Sequence, residues 1–186
     1  MPGLIRIRAF VSVNLPDEIA DRLEGFLSSR VKPLSEMRLV TRDQFHITLK
    51  FLGEISLEQV VLVRKSLSEM KFDPFEIDLT HAGVFPNFRN PKVLWLAGER
   101  GVSELTNLSK ILNEKFSQIA AIPKDDRRFK AHLTLARIPY PELWNERVFA
   151  RLAEVSKLGL TWRCSRVSFM RSVLTREKAI YTEIRY

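Results

Sequence analysis

The residues best suited to chemistry are His46 and Thr48, in QFHITLKFLGE, and His132 and Thr134, in FKAHLTLARIP, where His-x-Thr-Leu recurs 86 positions later. On a strand, side chains at i and i+2 leave the same face, so each motif sets an imidazole beside a hydroxyl. Two such strands, brought together across a pseudo-two-fold axis, would aim two imidazoles and two hydroxyl donors into one cleft. That set suits displacement at phosphorus. One group must take the proton of the attacking oxygen, and another, on the far side, must give one to the leaving oxygen. With an ordinary pKa of about 6.5, imidazole serves in either role near neutral pH, and two copies hold both roles at once. The threonine hydroxyls can donate to the non-bridging oxygens, where negative charge must be held. Such a site needs no metal.

A lone histidine on a strand is more often structural than catalytic. Duplication decides the matter here. The chain has 3 histidines and 8 threonines in 186 residues, so Thr stands two after a given His by chance in roughly 4% of cases, yet it does so twice. His81, in LTHAGVF, has no such company and is read as structural or surface.

The elements that must position these residues are legible around them. An alternating, β-branched run predicts a strand over about 5–14, ended by Pro16. DEIADRLEGFLSSRV, with Asp17 in a capping position, predicts a helix. A strand around His46 follows, then a helix from Ser56 with Glu58 in its first turn, then a strand over PFEIDLTHAGVF broken at Gly83. The second half keeps the order. KVLWLAG reads as a strand, SELTNLSKILNEKFSQIA as a helix, the segment around His132 as a strand and PELWNERVFARLAEV as a helix, before strands in GLTWRCSRVSFM and KAIYTEIRY. Phe10 lies 36 residues before His46 and Trp95 lies 37 before His132; Ile77 follows the first histidine by 31 and Thr161 the second by 29. The chain therefore reads as one domain over 1–186, with repeat-like halves of about 1–90 and 91–186. FRNPKV, between them, is not a long flexible linker.

Composition bounds the rest. With 45% hydrophobic and 28% charged residues the sequence is that of a soluble globular protein without low-complexity tracts. Arg6 and Arg8 interrupt what would be the apolar core of a signal peptide, and no apolar run approaches membrane-spanning length, so a cytoplasmic protein is expected. Cys164 has no partner for a disulfide or a Cys-x-x-Cys site and reads as a packed thiol. Thirty Lys and Arg against twenty-two Asp and Glu leave a net charge of +8, which favours an anionic partner without singling out nucleic acid.

RAFVSVNLP, HITLKFLGE, the VFP turn at 84–86, RFKAHLTLAR, and RSVLT followed by IYTEI together resemble the two-histidine (2H) phosphoesterases, and within them the RNA 2',3'-cyclic phosphodiesterases, historically called 2'-5' RNA ligases. The resemblance implies an α+β, bilobal fold: two pseudo-two-fold-related antiparallel sheets around a central cleft, with helices on the outside. It implies opening of a 2',3'-cyclic phosphate to a 2'-phosphate, with His46 as proton donor to O3' and His132 as proton acceptor from water. Arg137, five after His132, then corresponds to a phosphate contact, although strand parity puts it on the opposite face unless the strand ends or bulges. Phe51, at the equivalent position of the first motif, corresponds to a base-stacking aromatic, and is equally well placed for the core. Arg127, Arg128 and Lys130 can follow an RNA backbone or belong to a solvated loop. Two positions depart from the family pattern: Leu39 replaces a tryptophan before the first motif, and Lys178 and Ala179 replace a Gly-Pro near the C-terminal tyrosine.

The expected partner is RNA with a 2',3'-cyclic phosphate end, tRNA fragments among the candidates. No cofactor, metal or membrane is expected, and the chain is read as a monomer. Ligation to a 5'-hydroxyl uses the same residues in reverse. An ATP-driven ligase is disfavoured because the chain has no G-x-x-x-x-G-K-[ST] loop and only seven glycines. A metallonuclease is disfavoured because no His, Asp and Glu set has ligand spacing. The alternative from another class is an RNA- or nucleotide-binding module without turnover, which has no use for two titrating groups.

Overall fold

Strand β1 (Arg6–Asn14) sets the alternation that governs the rest. Its Ala9, Val11 and Val13 enter the core, while Phe10, Ser12 and Asn14 face the other way. The computed structural model describes residues 5–32, 37–140, 142, 144 and 146–186. Helix α1 (Asp17–Phe26) follows and buries Ile19, Ala20 and Leu23 at helical spacing. Its N-cap is Pro16 rather than Asp17; Asp17 and Glu18 sit in the first turn, where they complement the helix dipole. The predicted continuation to Val31 is a π turn, Leu27–Val31.

Strand β2 (His46–Ser56) leads into α2 (Leu57–Ser68) through a reciprocal cap, in which Ser56 Oγ accepts from the Gln59 N–H and Gln59 Oε1 accepts from the Ser56 N–H. The predicted break at Gly83 falls instead at Thr80. Strands β3 (Phe75–Leu79) and β4 (His81–Phe85) part there because each joins a different sheet. Gly83 stays inside β4 because the indole of Trp95 lies on it: a Cβ at that position would come within 2.2 Å of a ring carbon.

Strand β5 (Val93–Ala97), helix α3 (Val102–Phe116), strand β6 (Leu133–Arg137), helix α4 (Glu146–Leu152) and strand β7 (Leu160–Cys164) repeat the order of the first half. The predicted start of α4 at Pro141 lies outside the described residues, and its predicted end is a 3-10 stretch, Ala153–Leu158. Strands β8 (Ser168–Leu174) and β9 (Ala179–Glu183) complete the chain.

The fold is α+β, with a seven-stranded antiparallel sheet in the order β4-β5-β6-β2-β1-β8-β9 and a two-stranded sheet, β3-β7. The two expected sheets are present as wings, β4-β5-β6 and β2-β1-β8-β9, fused through the single pair Ile47 and Leu133. Each half lends a strand to the other's wing. β4 comes from the first half and lies on β5, whereas β8 comes from the second and lies on β1. The helices cover one face, and fully buried Leu23, Leu52, Ile55, Leu112, Phe116 and Phe169 fill the space between. Cys164 is buried there, its thiol pushed up to about 11 by burial, as a packed thiol should be. No helix among the described residues is long and apolar enough to cross a membrane.

Candidate active site

The seam between the wings is where the two motifs meet. Ile47 and Leu133 pair antiparallel and point into the core, so the residues on either side of each project from the other face. The antiparallel register through this pair puts His46 across from Thr134, and Thr48 across from His132. Each imidazole therefore faces the other motif's hydroxyl. Diagonal neighbours in such a pair lie about 7–8 Å apart, which leaves room for one phosphoryl group between the histidines.

The two rings are held alike. His46 Nδ1 lies 2.8 Å from the Gln44 carbonyl and His132 Nδ1 lies 2.7 Å from the Lys130 carbonyl. A carbonyl only accepts, so Nδ1 carries the hydrogen in both and Nε2 is the bare nitrogen. Burial pushes the His46 imidazole down to about 4, against the opposing pull of the Gln44 carbonyl and with a further push from the charge of His132. Burial lowers His132 as well. Both are neutral bases near pH 7 in the free site. Neither Thr48 nor Thr134 gives its hydroxyl to another group among the described residues, and both are half-buried.

Strand parity alone cannot bring Arg137 or Phe51 to this face. Bulges do. β6 has an extra residue, Leu135, between Thr134 and Ala136, and β2 has two, Leu52 beyond Phe51 and, before it, Leu49 between Thr48 and Lys50; Leu135 and Leu49 set the parity here. Leu49 and Leu135 each lie three residues after their histidine. The carbonyl of each has a partner: Leu49 O accepts from Ser109 Oγ at 2.7 Å, and Leu135 O accepts from the Val40 N–H at 2.7 Å. Phe51 thereby emerges opposite Phe10 and is 55% exposed, so it is not a core residue. Arg137 is exposed at the equivalent place; burial pushes the Tyr181 phenol up, and the charges of Arg137 and of Arg8 from β1 oppose that push.

Aromatic rings flank both histidines. His46 packs 4.8 Å from Phe10 and edge-on to Tyr181 at 5.1 Å, and His132 stands edge-on to Phe85 at 5.0 Å. Tyr181 and Phe85 were not among the sequence candidates, because nothing local in IYTEI or VFP marks a ring that will face a cleft. Lys130 places its Nζ 5.3 Å from the Phe85 centroid. Arg128 is exposed on the preceding loop, and Arg127 is engaged with Asp125 at 2.7 Å. Leu39 bridges to Ala136 beside the second bulge. His81 is exposed on β4, edge-on to Trp95 at 6.1 Å.

Behind the sheet, Lys50 is buried at 4% exposure and donates to Asn113 Oδ1 and the Pro123 carbonyl, each at 2.7 Å. Asn113 in turn holds Asp125 through two bonds of 2.8 Å. This clamp ties β2 to the loop that ends at His132. No three His, Cys, Asp or Glu side chains gather as a metal site among the described residues.

An α+β fold with two imidazoles set diagonally across a seam, each beside the other motif's threonine, is the arrangement of a two-histidine phosphoesterase. Sequence comparison narrows this. The family model described as LigT-like phosphoesterase matches residues 13–95. An Archaeoglobus fulgidus protein named RNA 2',3'-cyclic phosphodiesterase is 36% identical over 71% of this chain and 73% of its own length. One of the same name from Aquifex aeolicus is 30% identical over 96% of this chain and 95% of its own. The crystal structure of Escherichia coli LigT complexed with 3'-AMP shares the fold, with a TM-score of 0.76 and 23% identity over 97% of both chains. The chain belongs to the LigT-like phosphoesterase family.

Proposed function

We propose that this chain hydrolyses RNA 2',3'-cyclic phosphate ends to 2'-phosphomonoesters without a metal, using His46 and His132 as the proton donor and acceptor. The observation that carries this reading is the matched pair of imidazoles, each fixed by Nδ1 with Nε2 bare and each facing the other motif's threonine. The names of the Archaeoglobus and Aquifex relatives support the substrate.

In the free site both rings are neutral, held there by burial. A cyclic phosphodiester anion between them reverses this for one ring, because its charge favours the imidazolium. His46, the more enclosed, takes that proton on Nε2 and delivers it to O3' as the P–O3' bond breaks. His132 Nε2 takes the proton of the water that attacks from the opposite side. The hydroxyls of Thr48 and Thr134 donate to the non-bridging oxygens, and Arg137 offsets their charge. Phe51 stacks the terminal base, while Arg128 and Lys130 follow the backbone. Entry of a 5'-hydroxyl in place of water runs the same steps toward a 2'-5' linkage.

The test is a short RNA with a 2',3'-cyclic phosphate end, incubated with the protein in EDTA, the product read by chromatography and phosphorus NMR. A 2'-phosphate is expected from the wild type, with losses of about 10²–10⁴-fold in His46→Ala and His132→Ala. A 3'-phosphate would reverse the leaving group, and an untouched substrate that still binds would make the cleft a recognition site.

A further inference from the structure

The aromatic wall beside His132 has no task in the hydrolysis of a lone nucleoside cyclic phosphate. It is built from Phe85, Trp95 and His81. The indole of half-buried Trp95 lies across Gly83, where a Cβ would meet its ring carbons at 2.2 and 2.4 Å, so the backbone closes one of its faces. Phe85 tilts against that indole at 5.0 Å, and exposed His81 stands edge-on to it at 6.1 Å. Trp95 is the cross-strand partner of Thr134, so the wall begins where the phosphoryl position ends. Lys130 holds a cation 5.3 Å from the Phe85 centroid.

The wall mirrors Phe10, Phe51 and Tyr181 on the His46 side. In the sheet order, two strand spacings separate exposed Phe51 on β2 from Trp95 on β5, which is about 10 Å across the strands. Adjoining nucleosides of single-stranded RNA, with their bases splayed apart onto separate aromatic faces, bridge such a gap.

We propose that Phe85, Trp95 and His81 form a second nucleoside subsite, which stacks the base of the penultimate RNA nucleotide while Lys130 meets the phosphate linking it to the terminal one. This rests on the phosphodiesterase reading of the cleft. Stacking uses the π-face that every base has, so the subsite discriminates RNA length rather than base identity.

The experiment compares a nucleoside 2',3'-cyclic phosphate with a dinucleotide ending in the same group, for wild type, Trp95→Leu and His81→Ala. Binding of the corresponding 2'-phosphates is titrated in parallel by tryptophan fluorescence, and thermal melts establish that each variant folds. The wild type is expected to prefer the dinucleotide by about tenfold or more, in KM and in affinity, and the dinucleotide is expected to quench fluorescence. Trp95→Leu should remove most of both effects, and His81→Ala part of the preference. Equal treatment of the two lengths by wild type, or a preference that survives both substitutions, would overturn the subsite. Turnover of neither compound would sink the catalytic reading, and the titration would still decide the subsite.

Discussion

Ser109, on α3, donates its hydroxyl hydrogen to the carbonyl of Leu49 at 2.7 Å, and Leu49 is the residue that bulges from β2 between Thr48 and Lys50. The bond is buried and holds the shift of parity that turns Phe51 toward the cleft. Ser109→Ala removes the carbonyl's partner and is expected to cost about 1–3 kcal/mol in urea unfolding. An unchanged midpoint would mean that the bulge stands without the helix.

Lys50→Met strips two acceptors of a buried donor, at Asn113 and Pro123. Asn113 keeps its bonds to Asp125, but the Pro123 carbonyl is left bare. A stability loss of about 1–3 kcal/mol is expected. Because the released loop supplies the carbonyl that orients His132, kcat should fall more than KM rises.

Acid should weaken the fold through His46. Its folded pKa is about 4, below the ordinary 6.5, so the unfolded chain binds more protons between these values. The stabilisation from neutral His46 is fully present above about pH 6.5 and is lost as pH falls through about 4. It amounts to about 3 kcal/mol. Urea unfolding at pH 7 and pH 5 should show this decline in wild type and a smaller one in His46→Gln.

Arg137→Ala is expected to raise KM for an RNA substrate about tenfold and to lessen the salt dependence of binding by about one phosphate contact. Arg137→Lys should restore the salt dependence better than the KM, because an ammonium lacks the forked guanidinium. A salt dependence unchanged in the alanine variant would remove Arg137 from the phosphate.

Cys164 is buried, and its thiol lies well above the usual range. Iodoacetamide at neutral pH should leave the folded protein unlabelled and modify it stoichiometrically in urea.

Much of the site was legible because His-x-Thr-Leu is local: four residues, twice, fix both the strand and the face. Arg137 and Phe51 showed the limit of that reasoning. Alternation predicts the wrong face for a residue five beyond each histidine, and only the partner strand reveals that Leu135 and Leu49 are extra. Tyr181 was harder still, since its place beside His46 depends on β9 pairing with β8, and β8 with β1, across 135 residues of sequence. The break at Thr80 was misplaced to Gly83 for a related reason. Glycine punctuates many strands, but here it makes room for an indole from the next one.

The exchange of β4 and β8 between the wings bears on how such a chain could arise. A half-length ancestor would carry one His-x-Thr strand and one strand too many for its own wing. Two copies trading that strand would close both wings and bring two identical imidazoles to a true dyad. Joining the copies end to end frees each motif to change alone. In the present chain β9 extends only one wing, enclosing His46 with Tyr181, so the two imidazoles stand in unequal surroundings.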